Sequence, residues 1–136
     1  MVFRDMKLRW IALLSLGLAT LFGITILSNT NIPGSIGYEK PIYYFFYSDN
    51  CPGCRIMEEE VLIDEMVQDV LDSDFVFIRV NTGWDKGLAR RYRVYGVPAN
   101  VFTKPDGTEV ARIVGPIGSP GELLEILYQV LDYTED

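Results

Sequence analysis

Residues 43–61 read YYFFYSDNCPGCRIMEEEV, and the fold turns on this stretch. Its first part belongs to a longer apolar run, residues 41–47 (PIYYFFY), which has the length of a β-strand and no polar alternation. Such a strand is buried on both faces, so its sheet must be covered on both sides. A helix then starts at Cys51. Pro52 suits its first turn, where the missing N–H has no intrahelical partner, and Ile56, Met57, Val61 and Leu62 keep helical spacing. Strand, CPGC and helix in this order put two thiols at a helix N-terminus, with Pro52 and Gly53 as the spacer. Backbone N–H groups and the helix dipole there stabilise a Cys51 thiolate, and Cys54 lies within the first turn, close enough to resolve a mixed disulfide.

The pair also has plainer readings. Half a zinc site would need two further ligands, and the chain has no histidine and no third cysteine. A passive structural disulfide across a two-residue gap would remove little chain entropy. Free cysteines acting as small hydrophobes are a poor match to a helix start beside Pro and Gly. Dithiol exchange is the expectation, with no metal and no cofactor beyond the redox-active pair.

Outward from the motif, Asp64 caps a second helix that runs through Leu71, with Val67 and Val70 on its apolar face. Residues 75–80 (FVFIRV) form a second strand, residues 86–95 a helix ending at Gly96, and Ala99–Thr103 a third strand entered through Pro98. Pro105-Asp106-Gly107 is a turn, so Glu109–Val114 returns as a hairpin partner. Ser119, Pro120 and Glu122 form a capping box before the stripe Leu123, Leu124, Ile126, Leu127, Val130, Leu131. The result is an α/β domain with a mixed four-stranded sheet and helices on both faces.

The other end of the chain has a different character. Residues 10–27 (WIALLSLGLATLFGITIL) are uncharged and follow Arg4, Lys7 and Arg9. As a helix they reach about 27 Å, near the ~30 Å of a bilayer core. An uncleaved transmembrane anchor over 10–28 is expected, with a cleaved signal segment as the alternative; the exit Ile26-Leu27-Ser28-Asn29 is a poor cleavage site. The basic residues put 1–9 in the cytoplasm and the domain outside, on the periplasmic or outer face. Residues 29–39, with Pro33, Gly34 and Gly37, read as a linker, and 40–136 as the domain.

Composition excludes several functions. The formal charge is −7, and beyond residue 27 there remain 9 basic and 18 acidic residues, so no electrostatic footprint for nucleic acid exists. Without histidine, Ser-His and Cys-His hydrolase chemistry is out. Arg90, Arg91 and Arg93 cluster before Pro98. They read as a solvated helix face, with steering of an acidic partner as the alternative.

The quoted stretch resembles the active-site strand and helix of the thioredoxin superfamily. VYGVPANVF (94–102) resembles that family's segment around a cis-proline, and GPIGSPGELLEIL (115–127) its last strand end and C-terminal helix. Together these span nearly the whole domain. Within the superfamily, FYSDNC (46–51) and the acidic helix after Cys54 are most similar to the C-terminal periplasmic domain of DsbD-type thiol:disulfide interchange proteins.

The resemblance implies a thioredoxin-like fold in which Cys51 attacks, Cys54 resolves, Pro98 follows a cis bond beside them, and the Val97 backbone pairs with a substrate peptide. Two departures stand out. Relatives usually carry a buried aspartate six residues before the first cysteine, where this chain has Phe45, and many have tryptophan where it has Asn50. Proton transfer at Cys54 must then use another group. Glu58, one helical turn on, is the first candidate, and Asp49 the second.

The expected activity is reduction of protein disulfides outside the cytoplasm, with protein thiols and disulfides and a membrane electron donor as partners. The alternatives are an oxidase or isomerase, or a thioredoxin-fold binding module or chaperone without turnover.

Overall fold

The computed structural model describes residues 38–135. Four strands, β1 (Ile42–Tyr47), β2 (Val76–Asn81), β3 (Ala99–Thr103) and β4 (Glu109–Val114), form one sheet in the order β2-β1-β3-β4. β1 runs parallel to β2 and antiparallel to β3, and β3 is antiparallel to β4. The side-chain period of two divides β1 between two cores. Tyr43 and Phe45 pack on one face with Met57, Val61, Val67, Leu71, Leu123 and Leu127. Ile42, Tyr44 and Phe46 pack on the other with Ala89, Tyr92 and Val101. Helices therefore cover both faces, as the aromatic run requires.

The helices are α1 (Pro52–Ile56), α2 (Glu65–Asp74), α3 (Lys86–Arg91) and α4 (Pro120–Glu135). Two differ from the sequence expectation. The helix after Cys51 is not uniformly α: Met57–Val61 is a π-helical turn, in which Leu62 N–H donates to Met57 O at 2.7 Å. Closing over five residues brings Leu62 beneath Met57, and Met57, Val61 and Leu62 are all buried.

α3 stops at Arg91, well before Gly96. Arg93 is left-handed (φ 51°); its N–H bonds Arg90 O at 3.1 Å, and Val94 N–H bonds Ala89 O at 2.8 Å. That is a Schellman ending with arginine where glycine is usual.

The other caps agree with their sequence signals. Asp64 Oδ1 accepts from Met66 and Val67 N–H, and Ser119 Oγ accepts from Glu122 N–H, while the Glu122 carboxylate reaches Gly118 N–H. Gly107 (φ 86°) makes the β3–β4 turn.

Among the described residues no helix is long and apolar enough to cross a membrane. The expected flank (1–9) and anchor (10–28) lie outside the described residues, as does the expected linker apart from Tyr38 and Glu39.

The topology gathers four segments at one end of the strands. β1 and β2 both end there, leading into Cys51 and into the loop after Asn81. β3 starts there just after Pro98, since Ala99 pairs with Phe46 and Val114. β4 finishes there, and Gly115, Pro116 and Ile117 follow.

Candidate active site

Cys51 is the N-cap of α1. Its backbone is extended, its carbonyl accepts the Arg55 N–H at 3.2 Å, and its Sγ accepts the Cys54 N–H at 3.1 Å. A side-chain oxygen normally fills this role. Here sulfur does, and the same N–H would bind a thiolate more strongly than a neutral sulfur. Cys51 and Cys54 are joined as a disulfide, with Cα atoms 5.2 Å apart. Cys51 keeps 7% of its surface exposed and Cys54 only 2%, so an incoming group meets Cys51 first.

Prolines wall the disulfide. A methyl group at Gly53 would come within 3.2 Å of Pro98 Cδ and 3.6 Å of Pro116 Cδ, so only glycine fits there without displacing a neighbour. The Val97–Pro98 bond is cis, as the resemblance implied. Gly115 N–H donates to Pro98 O at 2.8 Å, tying the two walls together. Asn100, fully buried in β3, donates its amide to Gly115 O at 3.2 Å and Ile113 O at 3.4 Å. Its Oδ1 accepts the Tyr43 hydroxyl at 2.7 Å. Burial pushes the Tyr43 phenol well above its ordinary pKa, so it stays a donor. From below, Ile117 N–H donates to Met57 Sδ at 2.9 Å, holding the loop after Pro116 against the π-helical turn.

The two carboxylates singled out from the sequence have partners on β2. Glu58 is paired with Arg79, whose guanidinium also lies 5.1 Å from the centre of the Tyr47 ring. Asp49 Oδ1 accepts the Asn81 amide at 2.9 Å. Phe45, in the place of the familiar aspartate, is fully buried opposite Asn100 and Arg79.

Asn100, Pro116 and the Met57 sulfur were not singled out from the sequence. Asn100 had a signal, as a polar residue flanked by Ala99 and Val101 inside the buried run after Pro98. Among the described residues no cluster of three or more acidic or cysteine side chains converges on a metal position.

A mixed sheet that delivers a Cys-x-x-Cys disulfide to a helix start beside a cis-proline defines the thioredoxin type of dithiol domain. The chain belongs to the thioredoxin-like domain family, whose profile matches residues 35–131. Over 87 residues it is 33% identical to thiol:disulfide interchange protein DsbD 1 of Pseudomonas aeruginosa, a match spanning 60% of this chain and 15% of that protein. The DsbD of Salmonella typhi matches at 31% over 81 residues, 56% of this chain and 14% of that one. The chain thus spans only a small part of the length of these relatives.

Among solved structures, a thioredoxin from Thermus thermophilus is 36% identical with a TM-score of 0.62, covering 70% of this chain and 76% of that one. A DsbH oxidoreductase, at 21% identity and TM-score 0.61 over 69% and 74%, bears on the fold alone.

Proposed function

We propose that this chain is a membrane-tethered thiol-disulfide oxidoreductase on the extracytoplasmic side that reduces disulfides of other proteins. The observation that carries it is the Cys51–Cys54 disulfide itself, with Cys54 N–H on the Cys51 sulfur and Pro98 and Pro116 beside it. In the reduced chain the Cys51 thiolate attacks one sulfur of a substrate disulfide. That bond breaks, the other substrate sulfur leaves as a thiolate, and a mixed disulfide forms. Cys54 then loses its proton and attacks the Cys51 sulfur, releasing the second substrate thiolate. Two electrons have moved to the substrate, and Cys51 and Cys54 are left oxidised.

The backbone of Val97, next to Pro98, receives the substrate segment as an added strand. Glu58 is the carboxylate we assign to the Cys54 proton, one helical turn away and oriented by Arg79, with Asp49 as the second choice. A membrane dithiol donor restores the reduced pair.

Two features support the tether and the outward side: the apolar residues 10–27 behind three basic residues, and the similarity to DsbD proteins. The test is a Cys54→Ser variant of the full chain in its native membrane. Trapped mixed disulfides with partners on the extracytoplasmic side support the reading. Absence of any trapped partner, or trapping only in the cytoplasm, overturns it.

A further inference from the structure

The positive charge of the domain is concentrated. Of the nine Lys and Arg residues beyond residue 27, four fall between positions 86 and 93. Arg79 and Arg112 are held by Glu58 and Glu109, whereas among the described residues no ion pair engages Lys86 or Arg90. These two line a groove of about 390 Å³ with Thr82, Ala89, Val94 and Tyr95.

Both sides of that groove are tied to the walls of the disulfide. Tyr95 is three residues before Pro98, at most about 11 Å along the chain. On the other side, Thr82 N–H donates to Tyr47 O at 2.9 Å, and its neighbour Asn81 holds Asp49, two residues before Cys51. Aromatic surface flanks it as well: Tyr95 is 94% exposed, and Trp84, two residues after Thr82, is 81% exposed. Asn50 puts no ring in the position before Cys51, and Trp84 and Tyr95 are exposed rings on the loops after β2 and before Pro98. Exposed aromatic rings beside unpaired cations are the composition of a recognition surface more than of an idle one.

We propose that this groove docks an acidic segment of the partner polypeptide, adjacent to the cysteine that Cys51 attacks. Charge complementarity selects that occupant. The domain as a whole repels acidic chains, and this groove, lined by Lys86 and Arg90, is a place where it does not. Lys86 and Arg90 hold the acidic side chains, and Tyr95 and Trp84 cover apolar neighbours on the same segment. Docking here lays the partner's next residues across Val97 and Pro98. The inference rests on the exchange reading above and adds to it which substrates are preferred.

The test uses two peptides with the same internal disulfide, one flanked by Asp and Glu and one by Ser, and the reduced full chain. At low ionic strength the acidic peptide should react roughly five- to tenfold faster, against the direction the net charge would give. The preference should shrink at about 0.5 M salt, vanish in the Lys86→Glu/Arg90→Glu double variant, and survive in Lys86→Arg/Arg90→Lys. Equal rates for the two peptides in the wild-type chain overturn the docking inference while leaving the exchange reading intact. If neither peptide is reduced, the exchange reading fails and the docking inference with it. A chain that is dimeric and is split by the double variant would give the groove to a second copy and likewise overturn it.

Discussion

Tyr43 and Asn100 show how a single hydrogen bond reaches the active site. The phenol holds Asn100 Oδ1, and the Asn100 amide holds the carbonyls of Ile113 and Gly115, just before Pro116. Tyr43→Phe keeps the ring but strands a buried amide oxygen. It should lower stability by about 1–3 kcal/mol in denaturant unfolding. The same ring and its neighbour set an alkaline limit. Burial, with the Tyr92 phenol alongside, pushes the Tyr44 phenol up to about 12, and Tyr43 shifts in the same direction. Phenols of the unfolded chain ionise near 10, so the stability these groups contribute is full below about pH 10 and lost as pH rises toward 12. Unfolding curves at rising pH should show that loss, and Tyr44→Phe should reduce it. Glu58 yields a sharper test at this scale. If the Glu58 carboxylate takes the Cys54 proton, its charge also disfavours the thiolate, so Glu58→Gln should lower the Cys54 thiol pKa and slow release of the mixed disulfide. No change in either would remove Glu58 from the proton path.

At the scale of elements, most of the fold was legible because its signals are local. The double-faced apolar run became β1, Asp64 and Ser119 capped α2 and α4, and Pro105-Asp106-Gly107 became the β3–β4 turn. The two misses have local causes of another kind. The spacing of Met57, Val61 and Leu62 fits an α-turn as well as a π-turn, and only the closure onto Ile117 and the core distinguishes them. The end of α3 was expected at Gly96 because glycine usually takes the left-handed position, but Arg93 takes it. That arginine carries a steric cost that glycine would not. Arg93→Gly should therefore raise stability by about 0.5–1 kcal/mol, measured as a shift in the unfolding midpoint. Arg93→Ala, which retains the Cβ, should show no such gain.

Over the whole molecule, the site is assembled from segments far apart in the chain. The CPGC turn, Asn81, Pro98 and Pro116 gather because β1, β2, β3 and β4 bring them to one end of the sheet, and no short window of sequence contains that fact. The two cysteines and Pro98 were recognisable from motifs. Asn100, Pro116 and the Met57 sulfur were not singled out because their roles exist only across strands, and Arg79 became the partner of Glu58 only once β2 lay beside β1. The same assembly explains how an acidic domain presents a basic groove: α3 follows the loop after β2 and precedes the segment that leads through Pro98 into β3. The central claim is that Cys51 and Cys54 exchange electrons with protein disulfides in sequence, and insulin-disulfide reduction by the full chain tests it most directly. Wild-type chain should reduce insulin, Cys51→Ser should not, and Cys54→Ser should accumulate a mixed disulfide with insulin through Cys51. Equal reduction by the wild type and both variants, or none by the wild type, would contradict the account.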